Sequence, residues 1–307
     1  MAKSSFAAKT VAFVLAALLC AACLLTLAAC KKKGGEIDVE IGADAAVTQR
    51  ETDGVKYTFD NDYKLFVLIG VDDGACTDPD GRQLTGGRAN AIFIAFANTT
   101  TKKIDLLQLD QNTMVEMKTY EPAGTTKAQL SYAYAYGRNE AESGTNVVNA
   151  VKALTGLPKI EGYVAVNSAS LRDLVGISGA VTVTLTEAYG NTAAGGQVTL
   201  TTAEDFEDFL RDQGLGIKAN EKRMSRMRDF VPAFFNALKA NINFEEFNLG
   251  DNVKTNIAPA DYKDYDLNTP VKSLAGQSQK VGDYVEFTVN ESSMISLLNG
   301  ICYKKEG

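Results

Sequence analysis

The sequence predicts an α/β (α+β) fold in which a mixed central β-sheet is flanked by helices. Three observations carry that expectation. The run Leu65-Phe66-Val67-Leu68-Ile69-Gly70-Val71 is short, continuous and apolar, as a strand buried on both faces is. Two further strand-like runs, 91–97 (AIFIAFA) and 104–109 (IDLLQL), are joined by the polar turn Asn98-Thr99-Thr100-Thr101, which predicts an antiparallel hairpin. After Gln129 the hydrophobic period changes, and strand-like and helix-like segments then alternate.

In chain order, the first strand ends in Asp72-Asp73-Gly74, and a loop containing Pro79, Gly81, Gly86 and Gly87 follows. Val147, Val148, Val151 and Leu154 share one helical face, and Gly156 and Pro158 stop that helix. Tyr163-Val164-Ala165-Val166 reads as a strand, and Ser168 as the cap of a helix carrying Leu171, Leu174 and Val175. Val181–Leu185 alternates as a strand, and residues 203–211 and 221–240 read as helices. Met224, Met227, Phe230, Val231, Phe234, Phe235 and Leu238 form one wide stripe on the second of these, which is core or part of a pocket lining. Pro232 inside it predicts a kink. Tyr132, Tyr134 and Tyr136 alternate, and core packing is their simplest use. A late strand at 284–289 and a short helix near 291–299 end the pattern. There is no internal repeat.

Composition narrows the chemistry. The 307 residues carry 31 Lys+Arg against 38 Asp+Glu, a net charge of −7. A nucleic-acid binder needs a basic footprint, so that class is set aside. Histidine is absent, which excludes Ser-His-Asp triads, Cys-His dyads and His-ligated zinc. Acid–base work falls to Asp, Glu, Lys, Tyr or Cys. Of the five cysteines only Cys76 and Cys302 lie beyond residue 30, and whether they pair cannot be deduced from spacing.

Residues 1–29 read as a secretory signal, with Lys3 and Lys9 before an uncharged stretch from Thr10 to Ala29. The tetrad Leu27-Ala28-Ala29-Cys30 resembles the bacterial lipobox, which implies diacylation of Cys30 and stable membrane anchoring by two chains. Twenty uncharged residues are also long enough for an uncleaved transmembrane helix. Both readings put the globular part at the outer face of the cytoplasmic membrane. Residues 30–56 read as a charged, Gly-containing membrane tether, with folded structure from Tyr57.

The order of short motifs resembles the LytR-CpsA-Psr family of cell-envelope proteins. The matching pieces are Leu68-Ile69-Gly70-Val71-Asp72, Gly87-Arg88-Ala89-Asn90-Ala91, Leu109-Asp110-Gln111-Asn112-Thr113 and Tyr134-Ala135-Tyr136-Gly137. They continue as Gly156-Leu157-Pro158, Gly162-Tyr163-Val164-Ala165-Val166-Asn167, Gly179-Ala180-Val181-Thr182-Val183, Phe209-Leu210-Arg211 and Arg223-Met224-Ser225-Arg226, closing with Asn252-Val253-Lys254-Thr255-Asn256. The resemblance implies a family domain over 57–262 and an extension, 263–307, that completes the sheet or forms a small lobe. It implies an apolar lipid pocket between sheet and helices, and arginines at its mouth that bind a polyprenyl phosphate or diphosphate. The implied activity is transfer of a glycopolymer from its polyprenyl diphosphate carrier to peptidoglycan, with Mg²⁺ as cofactor. Arginine suits that ligand because its planar fork pairs bidentately with phosphate oxygens.

Carried over residue by residue, Arg88, Arg211, Arg223 and Arg226 are the phosphate-binding arginines and Asp72 the strand-end carboxylate. The bland alternatives are surface arginines and a turn-capping aspartate. The catalytic positions are Arg88, Asn90, Gln111 and Asn112, and here the chain departs from the pattern. Asn90 and Asn112 stand where the family usually has aspartates that hold Mg²⁺, and Gln111 stands for an arginine. Met227-Arg228 replaces the usual Gln-Gln pair. Asp110 adds a carboxylate beside the altered position, and strand alternation predicts that it faces away from Gln111. The metal ligands are then Asn90, Asn112 and Asp110. Three functions remain open: a lipid-phosphate binder with weakened or lost catalysis, an active Mg²⁺-dependent phosphotransferase, and a non-enzymatic extracellular scaffold.

Overall fold

The computed structural model describes residues 48–306 except 73, 85, 121, 213–215, 242–252 and 258–263. The leader, Cys30 and most of the tether segment lie outside the described residues. In chain order the elements are β1 (Gln49–Thr52), β2 (Val55–Phe59), β3 (Tyr63–Asp72), β4 (Cys76–Thr77), β5 (Gln83–Leu84), β6 (Arg88–Asn98), β7 (Lys103–Leu109), β8 (Met114–Tyr120) and β9 (Ala123–Gln129). Helices α1 (Tyr132–Ala135) and α2 (Glu140–Thr155) precede β10 (Gly162–Val166), α3 (Ser168–Ser178), β11 (Val181–Thr184) and β12 (Gln197–Leu200). Then come α4 (Ala203–Arg211), α5 (Ala219–Asn241), β13 (Val253–Thr255), β14 (Asp266–Leu267), β15 (Lys272–Ser273), β16 (Gly276–Val281), β17 (Tyr284–Val289), α6 (Glu291–Cys302) and β18 (Tyr303–Lys305).

The central sheet is mixed, with strand order β13-β10-β3-β6-β7-β14 and β15 also on β7. β10 runs parallel to β3, whereas β3-β6 and β6-β7 are antiparallel. The apolar run of β3 alternates between two cores. Phe66 and Leu68 face one, packed under α3, α4 and α5; Leu65, Val67, Ile69 and Val71 face the other, which holds α1, α2 and α6. A strand covered on both faces needs apolar residues in both registers, and this is why the sequence shows a run and not an alternation.

Caps fix the ends of α2, α3 and α4. Asn139 accepts from Glu142 N at the start of α2, and Gly156 ends it at φ 63°. Thr202 and Asp205 form a reciprocal capping box on α4. The cap of α3 is Asn167, one residue before the predicted Ser168, because its carboxamide oxygen accepts from Ser170 N. α5 is continuous through Pro232.

Folded structure begins earlier than the sequence reading places it. β1 lies inside the segment read as tether, held by its ladder to β2, which in turn pairs with C-terminal β18. Backbone pairing holds these residues (QRET), so their side chains carry no apolar alternation to read. Residues beyond 263 add β14 and β15 to the sheet edge and form the β16-β17 hairpin. Cys76 and Cys302 are free thiols.

Candidate functional site

An apolar cavity of ≈ 330 Å³ opens between the sheet and three helices. Its floor is Leu68 of β3, Phe93 of β6, Leu106 of β7 and Val164 and Val166 of β10. Its walls are Leu171 and Leu174 of α3, Leu210 of α4, and Met227, Phe230, Val231 and Phe234 of α5. The methionine and phenylalanine stripe of α5 thus does both things open to it. Met224, Phe235 and Leu238 are packed core, while Met227, Phe230, Val231 and Phe234 line the void. Phe230 and Phe234 stack at 4.8 Å between centroids, and Phe206 meets both edge-on. Such packing holds that wall rigid.

A second, polar cavity of ≈ 350 Å³ adjoins it, since Asp72 and Asn90 line both. The backbone explains the junction. The β3-β6 register shifts between Gly70 and Val71, pairing Gly70 with Ala91 and Val71 with Ala89. Asn90 is therefore the extra residue of a bulge, free of the ladder. Its backbone oxygen accepts from Arg223 at 2.6 Å, and its side-chain amide donates to Asp72 at 3.2 Å. One residue pair further, Arg88 lies opposite Asp72. The neighbouring position must be glycine: a Cβ on Gly87 would sit 2.2 Å from Asp72 O.

Arg88 stands over the Tyr132 ring at 4.6 Å and donates to Ser131 Oγ at 2.9 Å, and its Nε is buried with no protein partner. Arg223 is 4% exposed and fully engaged. Its guanidinium donates to Asn90 O, to Gln111 Oε1 at 2.9 Å and to Asn220 Oδ1 at 3.0 Å. Burial lowers its pKa to about 10; Asp110 opposes the shift and Arg226 and Arg88 add to it, and it stays protonated at neutral pH. Burial likewise raises the Asp110 carboxyl above its usual range, against the hydrogen bonds and the Arg223 charge that favour its ionised form.

Asp72, Arg88, Asn90, Gln111 and Asn112 all line the polar cavity, with Arg223 donating to two of them. Arg211 is exposed on the lining of the apolar cavity and donates to Ser168 Oγ at 2.5 Å. Arg226 lines neither cavity. It donates to Phe209 O at 3.1 Å and to Asp212 O, and covers the Tyr189 ring at 4.7 Å, so it ties down the C-terminal end of α4. The three-residue step along α5 sends the two guanidiniums to different neighbours. Arg228, where a family glutamine is usual, donates to Gln108 Oε1.

Asp110 does not follow strand alternation. β7 stops at Leu109, and Asp110–Thr113 is a turn closed by Thr113 N on Asp110 O at 3.0 Å. Both Asp110 and Gln111 therefore meet α5, the first through Asn220 Nδ2 at 2.7 Å, the second through Arg223.

The residues read as metal ligands do not fit Mg²⁺. Asp110 Oδ1 already accepts from Asn112 N and Asn220 Nδ2, and Asn112 Oδ1 accepts from Gln129 Nε2 at 3.2 Å. Among the described residues no three acidic or sulfur ligands come together. Mg²⁺ dehydrates reluctantly and needs carboxylate charge that two asparagines do not bring.

Eight residues lining the polar cavity are absent from the sequence reading of the site, among them Gln129, Ile217, Asn220, Asp283 and Tyr284. Asp283 lies in the β16-β17 turn and Tyr284 opens β17. Gly282-Asp283 between strand-like residues is a readable hairpin signal, but nothing local says where its tip lands. Among the described residues no helix is long and apolar enough to cross a membrane.

The model of the LytR_cpsA_psr family matches residues 25–304. The polyisoprenyl-teichoic acid–peptidoglycan teichoic acid transferase TagU of Bacillus subtilis is 25% identical over 245 residues, 74% of this chain and 73% of that protein. The crystal structure of B. subtilis TagU aligns with TM-score 0.53 at 22% identity, covering 79% of this chain and 99% of that one. The structure of TagT bound to LIIa-WTA aligns with TM-score 0.54 at 17% identity, covering 78% and 90%. These likenesses bear on the fold.

Proposed function

The chain belongs to the LytR-CpsA-Psr family, and from that premise we propose that it is a membrane-anchored, extracytoplasmic protein binding polyprenyl phosphate or diphosphate, with weakened or lost catalysis. Its setting is the attachment of cell-envelope glycopolymers to peptidoglycan. The family relatives it matches include teichoic acid transferases, and that supports a polyprenyl-linked glycopolymer and peptidoglycan as partners. The anchor is lipidated Cys30.

One observation carries the reading: an apolar cavity of prenyl character adjoins a polar cavity holding Arg88, whose buried Nε lacks a protein partner. A buried N–H without an acceptor costs about 1–3 kcal/mol, and a phosphate oxygen would remove that cost. The tail enters between Leu68 and Phe230, and the phosphate meets Arg88. Arg223 acts differently. Its donors already hold Asn90, Gln111 and Asn220, so from the lining of the apolar cavity it shapes the junction and supplies charge there.

Catalysis is weakened because a departing lipid phosphate gathers charge that something must neutralise. In this site the two aspartates and the arginine that would neutralise it are replaced by Asn90, Asn112 and Gln111, and the oxygens of the last two are occupied by protein donors. The test is to titrate the detergent-solubilised chain with polyprenyl phosphate and with polyprenyl diphosphate, with Mg²⁺ or chelator. Binding that survives chelator, without release of phosphate, is the expected result. Chelator-sensitive cleavage would return the active-transferase reading. Absence of lipid binding would remove the proposal altogether.

A further inference from the structure

We propose that the β16-β17 hairpin is the sugar-recognising wall of the polar cavity, with Tyr284 stacking on a pyranose ring beside the lipid phosphate and Asp283 accepting from its hydroxyls. This rests on the lipid-phosphate reading of the same site and assigns to it the residues that would read the attached sugar.

The hairpin is in register from Gly276↔Val289 to Val281↔Tyr284, and turns through Gly282 at φ 59°. Its base is pinned to the site itself. Phe287 N donates to Asn112 O at 2.9 Å, and Gln129 Nε2 donates to both Asn112 Oδ1 and Val285 O. The tip is thus fixed relative to Asn112, and Asp283 and Tyr284 line the cavity.

The chemistry of that wall is wrong for phosphate alone. Asp72 and Asp283 are both carboxylates, and they repel a diphosphate. Carboxylates do suit neutral hydroxyls, to which they make strong charge-assisted hydrogen bonds. Large exposed hydrophobics among the described residues are Ile217, Val281 and Tyr284, and two of the three, Ile217 and Tyr284, line this same polar cavity. Apolar surface gathered at a polar pocket marks a binding site. A ligand with a flat apolar face and hydroxylated edges satisfies both features, and a pyranose has that shape. Tyr284 supplies a rigid aromatic face and Asp283 the acceptor.

The experiment compares two probes on the full chain in detergent: polyprenyl diphosphate, and polyprenyl diphosphate bearing one N-acetylglucosamine. Tyr284→Ala is expected to weaken the sugar-bearing probe about tenfold, or about 1.4 kcal/mol, and to leave the sugarless probe unchanged; Asp283→Asn is expected to weaken the sugar-bearing probe about tenfold relative to the sugarless one, whose diphosphate it no longer repels. Tyr284→Phe retains the ring and is expected to bind both as wild type does. Equal losses on both probes would show a merely structural hairpin and overturn the proposal, as would no loss on the sugar-bearing one. If the wild type binds neither lipid, the lipid-phosphate reading falls and this inference with it. If the wild type binds both while Tyr284→Ala changes nothing, only this inference falls.

Discussion

Replacing Gln111 with arginine restores the residue usual in the family, and this structure says that the restoration is harmful by itself. Gln111 Oε1 lies 2.9 Å from the Arg223 guanidinium and accepts a hydrogen bond from it. Both residues are buried, at 7% and 4% exposure. Arginine at 111 removes that acceptor, a hydrogen bond to a charged group worth about 1.5–3 kcal/mol. It also sets two guanidiniums side by side. At about 5 Å and an effective dielectric near 20, like charges cost about 3 kcal/mol. Rotation of the new side chain into the polar cavity recovers part of this, and the expected net loss is about 3 kcal/mol. For a domain of this size that is a fall in Tm of about 6–12 °C.

The assay is thermal and urea unfolding of wild type and Gln111→Arg, each with and without inorganic pyrophosphate. The anion should recover more stability in the variant than in wild type, because it neutralises the added charge. Adding Asn90→Asp and Asn112→Asp supplies two carboxylates near the new cation and should restore stability without the anion. A single variant as stable as wild type in the absence of anion would refute the coupling of position 111 to Arg223. The account of why the chain carries glutamine there would fall with it.

Three other expectations follow from the same geometry. Arg226→Ala should cost about 2–3 kcal/mol, measured by urea unfolding, because Phe209 O and Asp212 O lose a charged donor. Polyprenyl phosphate affinity should change less than twofold, since Arg226 lines neither cavity; Arg88→Ala should show the reverse pattern. Val166→Trp should fill the apolar cavity, and so abolish binding of a long polyprenyl phosphate while leaving thermal stability within about 1.5 kcal/mol of wild type. Burial pushes Cys302 up to about 12 from 9.0 and Tyr303 up to about 12 from 10.0. Both stay neutral in the folded protein after ionising in the unfolded chain. Their contribution is therefore complete below about pH 9 and is lost as pH rises toward 12. Urea midpoints measured from pH 8 to 11.5 should fall, and Cys302→Ala should make the fall shallower.

What was legible in the sequence follows from what each residue responds to. Leu65–Val71 was readable because a strand between two cores must be apolar in both registers, and no polar residue survives that demand. α4 and α5 were readable from their apolar faces. The β8-β9 hairpin was not, because β9 (AGTTKAQ) is largely exposed and is held by backbone pairing. Asp110 was misjudged because the period-2 argument assumes a strand, and the strand stops one residue earlier. Arg226 shows a different limit. Its spacing from Arg223 is a helix neighbour's spacing, but the carbonyls it holds come from another helix end. Asp283 and Tyr284 reach the site from the far end of the chain, through contacts that no local pattern encodes.

The charge inventory of the polar cavity connects these points. Arg88 is the cation in its lining, Asp72 and Asp283 are the carboxylates, and the remaining polar groups are mostly amides. Arg223 is outside that lining but lines the adjoining apolar cavity, its guanidinium answered by a backbone carbonyl and two carboxamide oxygens. A site built to cleave a diphosphate needs surplus positive charge aimed at the bond that breaks, because charge builds up there in the transition state. Here the surplus is small, and the lining carboxylates offset it. The balance still suits a ligand with one or two phosphates beside a neutral hydroxylated group, provided the apolar tail contributes most of the affinity. At about 25 cal/mol per Å² of apolar surface removed from water, burying one five-carbon prenyl unit contributes a few kcal/mol, comparable to a charge-assisted hydrogen bond to phosphate. Holding the lipid therefore does not require the charge that cutting it requires. That difference is the physical reason why replacing Asp, Arg and Asp by Asn90, Gln111 and Asn112 can remove the chemistry and leave the binding.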